Sequence, residues 1–233
     1  HKLWYQGPMF RYERPQKGRF RQFHQVGVEY LGFEEGISEY ELISMVLQIN
    51  KLIGISDYTI KINHLGDADA KESFCESLVS FLKPHISELH EKDQARLESN
   101  PLRVLDSKEK STQALLEAGP KFQDFISSES KGFLQNLVDA YSNYCDIQID
   151  QSLVRGLDYY TGIVFETVSQ ELGAQDAFLG GGRYDNLSGQ LGGKDMHAIG
   201  FAIGVERIVE LLSAESNKPV SYTHLTLPTS YAV

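Results

Sequence analysis

The sequence has little cysteine and no long apolar run. Its 233 residues include two cysteines, Cys75 and Cys145, which lack the close spacing typical of metal ligands. This excludes a disulfide-rich class, and two reduced thiols are typical of a cytoplasmic protein. No apolar stretch approaches the roughly 20 residues that cross a bilayer, so we expect no membrane partner.

Positive charge is also scarce. The chain has 22 basic and 32 acidic residues, a net charge of −10, which argues against a general surface for polyanions. The distribution is uneven, however, because residues 1–30 hold six basic and two acidic residues, a balance of +4. A basic cluster on an acidic body suggests a local anionic ligand, although charge alone favours a solvated basic hairpin.

Hydrophobic periodicity predicts strands on both sides of a helical middle segment, with one more helix after the last strand. Ser38 and Glu41 form a capping-box pattern, which predicts that a helix begins there. The last helix is predicted over Val205–Leu212. The predicted strands are Leu3–Arg11, Phe20–Gly32, Tyr58–His64, Asp146–Val154 and Thr161–Gln170.

The composition divides the chain into four segments. Residues 68–144 have a helical pattern, broken at Asn100-Pro101 and Gly119-Pro120, so we predict a helical insertion at 67–145. It separates two parts of one core, residues 1–66 and 146–215. Residues 216–233 are atypical, since 221–233 carry no charged group except His224, and we leave this tail out of the fold.

Glycine is concentrated late in the chain, with nine of the 20 glycines between Gly173 and Gly204. Such density permits unusual backbone angles and a close approach to a ligand, or else close packing of strands.

The second predicted strand carries a polar row. Period-two alternation places six residues on one face: Arg19, Arg21, Phe23, Gln25, Gly27 and Glu29. Such a row can line a binding cleft, with cations for phosphates, a ring for a base and a carboxylate for an N–H group. It can equally be the solvent-facing side of a sheet.

Four blocks then resemble one family. Residues Gly7–Arg19 resemble motif 2 of the class II aminoacyl-tRNA synthetases, in the form found in histidyl-tRNA synthetases. Leu153–Gly162 resembles the histidine signature peptide, Gly200–Arg207 resembles motif 3, and Gly181–Asp185 resembles a further pocket loop. The resemblance implies an α+β fold, with a mostly antiparallel sheet flanked by helices and a helical insertion.

The resemblance assigns an ATP site to five residues: Arg11, Glu13, Arg19, Phe23 and Arg207. It places Arg11 at the α-phosphate, Arg19 at the terminal phosphates, and Phe23 and Arg207 on either face of adenine. It implies no metal site of the protein's own, and Mg²⁺ accompanies ATP. Arg11, Arg207 and Arg155 are the implied catalytic residues.

The resemblance also assigns a histidine site to Gln25, Glu29, Arg155, Tyr159 and Tyr160. Glu29 is expected to accept an imidazole N–H while Tyr160 meets the other side of the ring. Arg155 is expected beside the α-carboxylate and the α-phosphate.

The implied function is ATP-dependent activation of histidine and its transfer to the 3′ end of histidine tRNA, within a homodimer. The chain lacks the family's motif 1 and anticodon-binding domain, so we expect low activity from it alone. The alternative is a non-catalytic relative that serves as a regulatory subunit in histidine biosynthesis.

Overall fold

The computed structural model describes residues 1–12, 19–154 and 159–215. Its centre is a sheet whose strands lie in the order β1-β2-β7-β6-β5-β3-β4. The neighbours pair antiparallel except β3 and β4, which pair parallel. The strands are β1 (Lys2–Phe10), β2 (Gln22–Leu31), β3 (Thr59–His64), β4 (Asp146–Ile149), β5 (Thr161–Val168), β6 (Ala177–Arg183) and β7 (Ala198–Gly204).

Helices cover the sheet and fill the segment between β3 and β4. The described helices are α1 (Ile37–Ile53), α2 (Ala68–Leu82), α3 (Glu91–Ser99), α4 (Lys110–Ala118), α5 (Ser128–Tyr141), α6 (Leu187–Gln190) and α7 (Val205–Glu215). The predicted α+β class with a mostly antiparallel sheet is confirmed. Within the described residues, the structure contains no helix that is both long and apolar enough to cross a membrane.

Two hydrophobic clusters hold these layers together. One packs α1, α5 and α7 against the sheet through residues such as Leu42, Leu137 and Phe201. The other joins the helices after β3 to the sheet, because Phe74 and Leu78 of α2 share it with Tyr160. The signature tyrosine is therefore packed against the helical segment.

One expectation from the sequence is wrong. Helix α1 begins two residues earlier than the Ser38 pattern predicts, because Gly36 is the N-cap and its N–H donates to Glu39 at 2.8 Å. The glycine-rich segment contains strands β6 and β7 at the centre of the sheet, in line with the alternative of close strand packing, although neither strand was itself predicted. The predicted tail, residues 216–233, lies outside the described residues.

Candidate active site

A cleft of about 210 Å³ opens on one face of the central strands. Strand β2 contributes Phe23 and Gln25 to it, and Arg207 enters from the first turn of α7. Arg11 follows the end of β1 directly. The cleft therefore gathers four of the residues that the sequence predicts for ATP and histidine. Its lining is Arg11, Phe20, Phe23, Gln25, Glu166, Ala177, Phe178, Leu179, Gly180, Ala202, Gly204, Glu206 and Arg207.

The positive charges in this cleft repel one another. Burial lowers the pKa of the Arg207 guanidinium, and the charges of Arg11 and Arg19 lower it further, against an opposing effect of Glu166 and Asp176. An anion placed among these guanidinium groups would remove that repulsion. The electrostatics of the cleft therefore favour a ligand with several negative charges.

Arg11 is held against the ring that was predicted to stack on adenine. Its guanidinium carbon lies 4.3 Å from the centre of the Phe23 ring, and its Nε donates to the Phe20 carbonyl at 2.7 Å. This is a cation–π contact, which uses one face of the ring. A base that stacks on Phe23 must take the other face or displace Arg11.

The start of α7 is tied to β2, and this positions Arg207. The Glu206 carboxylate accepts the His24 backbone N–H at 2.9 Å, and the His24 Nδ1 lies 2.9 Å from the same carboxylate. Arg207 itself donates to the Ala177 carbonyl at the start of β6. Arg207 is therefore positioned by two strands, since its neighbour Glu206 is bound to β2 and its own guanidinium is bound to β6.

A second, deeper group of residues surrounds Glu29, four residues beyond Gln25 on β2. The Tyr184 hydroxyl donates a hydrogen bond to the Glu29 carboxylate, and burial raises the pKa of that carboxyl group above its usual value. Burial and the neighbouring Glu29 likewise raise the pKa of the Tyr184 hydroxyl. A half-buried carboxylate with one hydroxyl donor retains capacity to accept an N–H from a ligand.

Three tyrosines form the wall beside Glu29. The rings of Tyr159 and Tyr160 have centres 4.6 Å apart, and the Tyr184 ring lies 6.0 Å from Tyr159 and 6.5 Å from Tyr160. Tyr160 is 8% exposed, so it belongs to the wall more than to the surface. The roles predicted for Tyr159 and Tyr160 stay predictions.

Glu29 needs a glycine beside it. A Cβ on Gly200 of β7 would lie 1.8 Å from the Glu29 Oε2 and 2.4 Å from the Val28 carbonyl oxygen. We expect Gly200→Ala to lower the free energy of unfolding by about 1–3 kcal/mol and to displace the carboxylate, because overpacking forces the neighbours to move. Urea unfolding measures the first effect.

Gly132 supplies the matched control. It lies in helix α5, and a Cβ there would meet no atom within 4 Å. Gly132→Ala is expected to stabilise the chain by about 0.5–1 kcal/mol, since alanine favours a helix interior. Equal unfolding midpoints for the two variants would contradict the proposed crowding at Gly200.

The pocket-loop block divides into two roles. Tyr184 faces Glu29, whereas Arg183 is 2% exposed and bonds Glu39, Ser38 and the Phe33 carbonyl. Asp185 accepts from Arg183 at 3.0 Å and from the Ala198 N–H at 2.9 Å. The Arg183 guanidinium therefore joins the start of α1 to β6, and the expectation that this loop lines the ligand pocket stays a prediction.

Two predicted site residues, Glu13 and Arg155, lie outside the described residues. Sequence reasoning placed Tyr184 in a pocket loop without giving it a contact, and it did not single out Tyr5, whose pKa is raised by burial and by the charge of Glu29. The signal for Tyr5 is its pairing with Gly27, which becomes visible only once β1 and β2 are known to be neighbours.

The cleft also bears on Mg²⁺. Within the described part of the chain, no three His, Cys, Asp or Glu residues gather as a metal site. Magnesium bound to a triphosphate usually takes one or two protein carboxylates and several phosphate and water oxygens. Glu166 lines the same cleft as Arg11 and Arg207, so its carboxylate is available to a magnesium ion that is carried by the nucleotide.

The mostly antiparallel sheet, with its sequence blocks in order, has the core fold of a class II aminoacyl-tRNA synthetase. Within that class the chain belongs to the histidyl-tRNA synthetase family, whose sequence profile matches residues 1–208. It is 46% identical over 221 residues to the histidine–tRNA ligase of Francisella philomiragia, covering 94% of this chain and 52% of that protein. The chain thus spans about half the length of the curated relatives it matches.

Solved structures show the same likeness. The apo histidyl-tRNA synthetase of S. aureus matches with a TM-score of 0.70 and 34% identity, over 92% of this chain and 51% of that one. A Bacillus halodurans protein described as an ATP phosphoribosyltransferase regulatory subunit/histidyl-tRNA synthetase matches with a TM-score of 0.58 and 24% identity, over 91% of this chain and 58% of that one. At that identity the second match shows the fold alone.

Proposed function

We propose that this chain carries the ATP and histidine sites of a cytoplasmic histidine–tRNA ligase that works as a homodimer. The observation that carries the proposal is that Arg11 and Arg207 line one cleft, with the charge of Arg19 close enough to act on Arg207. On the same face of β2 lies the Glu29 pocket, by which we mean Glu29 with Tyr159, Tyr160 and Tyr184. The related ligases support the assignment of substrates.

The proposed reaction has two steps. An α-carboxylate oxygen of histidine attacks the α-phosphorus of ATP, and the bond to the β-phosphate oxygen breaks, which releases pyrophosphate and leaves histidyl-adenylate. The terminal ribose hydroxyl of histidine tRNA then attacks the adenylate carbonyl carbon, and AMP leaves. No side-chain nucleophile takes part, so positioning and charge stabilisation provide the rate.

The residues of the cleft have distinct tasks in the first step. Arg11 can hold two oxygens of the α-phosphate and stabilise the charge that builds on them. Arg207 is fixed at the start of α7 and lies near the same charge, with Arg19 at the terminal phosphates. Gln25 lines this cleft and lies four residues before Glu29 on β2, where the backbone of a bound histidine would meet the phosphate.

Nucleotide binding tests the phosphate assignment. Arg19→Met should weaken ATP binding about tenfold and leave AMP binding unchanged, because a charge-assisted bond to the terminal phosphates is lost. Arg103→Met removes an exposed arginine from the helical segment and should change neither. Isothermal titration calorimetry with the whole chain measures both ligands.

The result also separates the two functions considered from the sequence. A silent regulatory relative would bind histidine without ATP. Absence of ATP binding to the unmodified chain would favour that alternative. An equal loss of ATP and AMP in Arg19→Met would show that Arg19 does not hold the terminal phosphates.

A further inference from the structure

We propose that Tyr5 determines amino-acid specificity: its ring forms the floor of the pocket between Gln25 and Glu29, and its hydroxyl faces the side chain of the bound amino acid. The inference rests on the proposed function, because it takes the Glu29 pocket as the histidine site. Tyr5 lies on β1, outside every block that carried the family resemblance.

Strand register places Tyr5 in the middle of the pocket. In the β1–β2 ladder Tyr5 pairs with Gly27, which lies two residues from Gln25 and two from Glu29. Alternate residues of a strand share a face, so Gln25, Gly27 and Glu29 point the same way. A side chain that lies over Gly27 therefore lies between the two β2 residues predicted to bind histidine.

The Tyr5 ring occupies that position. A Cβ on Gly27 would lie 2.2 Å from the Tyr5 Cζ, 2.3 Å from Cε1 and 2.4 Å from the hydroxyl oxygen. The hydroxyl half of the ring thus rests on the bare backbone of Gly27, a position that any other residue would block. The pairing of an aromatic residue with glycine makes the depth of the pocket depend on Tyr5.

The hydroxyl of Tyr5 is close to the groups predicted to bind the imidazole. Burial raises the pKa of Tyr5 most, and the charges of Glu29 and Tyr160 raise it further. Tyr5 is half-buried, so its ring is neither sealed in the core nor free in solvent. A phenol can donate or accept, which suits an imidazole ring that carries one N–H and one bare nitrogen.

Removal of the hydroxyl tests the proposal while the floor stays in place. Tyr5→Phe keeps the ring over Gly27 and should weaken L-histidine binding about tenfold, the effect of losing one hydrogen bond in a partly buried site. ATP binding should not change. Tyr144→Phe is the matched control, because Tyr144 is 78% exposed. Calorimetry with L-histidine and ATP gives both affinities.

The outcomes distinguish the two proposals. If the unmodified chain binds ATP but no L-histidine, the histidine site of the proposed function fails and the role of Tyr5 fails with it. If the unmodified chain binds L-histidine and Tyr5→Phe binds it equally well, only the role of Tyr5 is wrong. A selective loss of L-histidine in Tyr5→Phe supports both.

A second measurement needs no ligand. In a sample with ¹³C-labelled tyrosine, the NMR signal of Tyr5 is assigned as the one that disappears in Tyr5→Phe, and its chemical shift follows the titration of the phenol. Glu29→Gln should move that titration to lower pH, because the nearby negative charge is removed. An unchanged titration would place the Tyr5 hydroxyl away from Glu29 and overturn the proposal.

Discussion

Glu29→Gln is expected to weaken L-histidine binding about 100-fold while ATP binding stays the same, because a carboxylate accepts an imidazole N–H through a charge-assisted bond that an amide matches poorly. The amide keeps the size of the side chain, and its oxygen can still accept from Tyr184. The lost affinity would therefore report on the ligand and not on the shape of the pocket.

Glu29→Gln should keep or raise the free energy of unfolding while it lowers the affinity for L-histidine. Burial raises the folded-state pKa of Glu29 above its ordinary value, so the ionised group opposes folding at pH 7. That cost is absent well below the ordinary carboxyl pKa and grows as the pH rises through the folded-state value. Glu29→Gln removes it, so its unfolding midpoint in urea at pH 7 should equal or exceed that of the unmodified chain.

Glu76→Gln provides the control, since Glu76 is exposed on α2 and far along the chain from the pocket. Calorimetry with L-histidine and with ATP, beside urea unfolding, gives all three readouts. Full retention of L-histidine affinity in Glu29→Gln would show that the imidazole binds elsewhere. A large loss of stability would show that the carboxylate is structural.

The polar face of β2 was predictable from sequence because period-two alternation is a local property. Phe23, Gln25 and Glu29 share a face in the structure as the pattern predicts. Their environment was not predictable, since Tyr184 bonds Glu29 from the loop after β6 and Tyr5 lies near it on β1. Such contacts depend on which strands are neighbours, and no spacing within one segment encodes that.

The glycine-rich segment shows the limit more clearly. Glycine density left two interpretations open, a backbone that approaches a ligand or closely packed strands, and the sequence pattern predicted neither β6 nor β7. In the structure these glycines allow strands to pack closely, since a Cβ on Gly181 would lie 2.2 Å from the Gly200 carbonyl oxygen. The same composition therefore fits a loop or a crowded central strand, and only the neighbouring backbone decides between them.

The predicted start of α1 was wrong for a related reason. The pattern Ser38-x-x-Glu41 competes with Gly36-x-x-Glu39, and helix capping alone favours serine over glycine only slightly. A distant residue decides the outcome, because Arg183 binds both Ser38 and Glu39. The helix therefore begins where its acidic first turn can meet a buried arginine of β6.

That buried pair gives the largest stability effect we expect. Arg183→Met should lower the free energy of unfolding by about 3–5 kcal/mol, because Glu39 would remain buried at 1% exposure without its partner charge. The Nε of Arg183 lies 2.7 Å from the Glu39 carboxylate, and the same guanidinium also bonds the Phe33 carbonyl. Urea unfolding followed by circular dichroism measures the loss.

Two further variants establish the cause of that loss. Arg183→Met combined with Glu39→Gln should be more stable than the sum of the single changes predicts, since removal of the second charge relieves the first defect. Lys2→Met breaks the exposed pair between Lys2 and Glu41 on the same helix and should change stability little, because water screens it. Additive losses in the double variant would mean that Arg183 stabilises the chain through its packing and its bonds to carbonyl groups. In that case the position of the loop that carries Tyr184 would depend on the packing of the Arg183 side chain, and neutralising Glu39 would not disturb it.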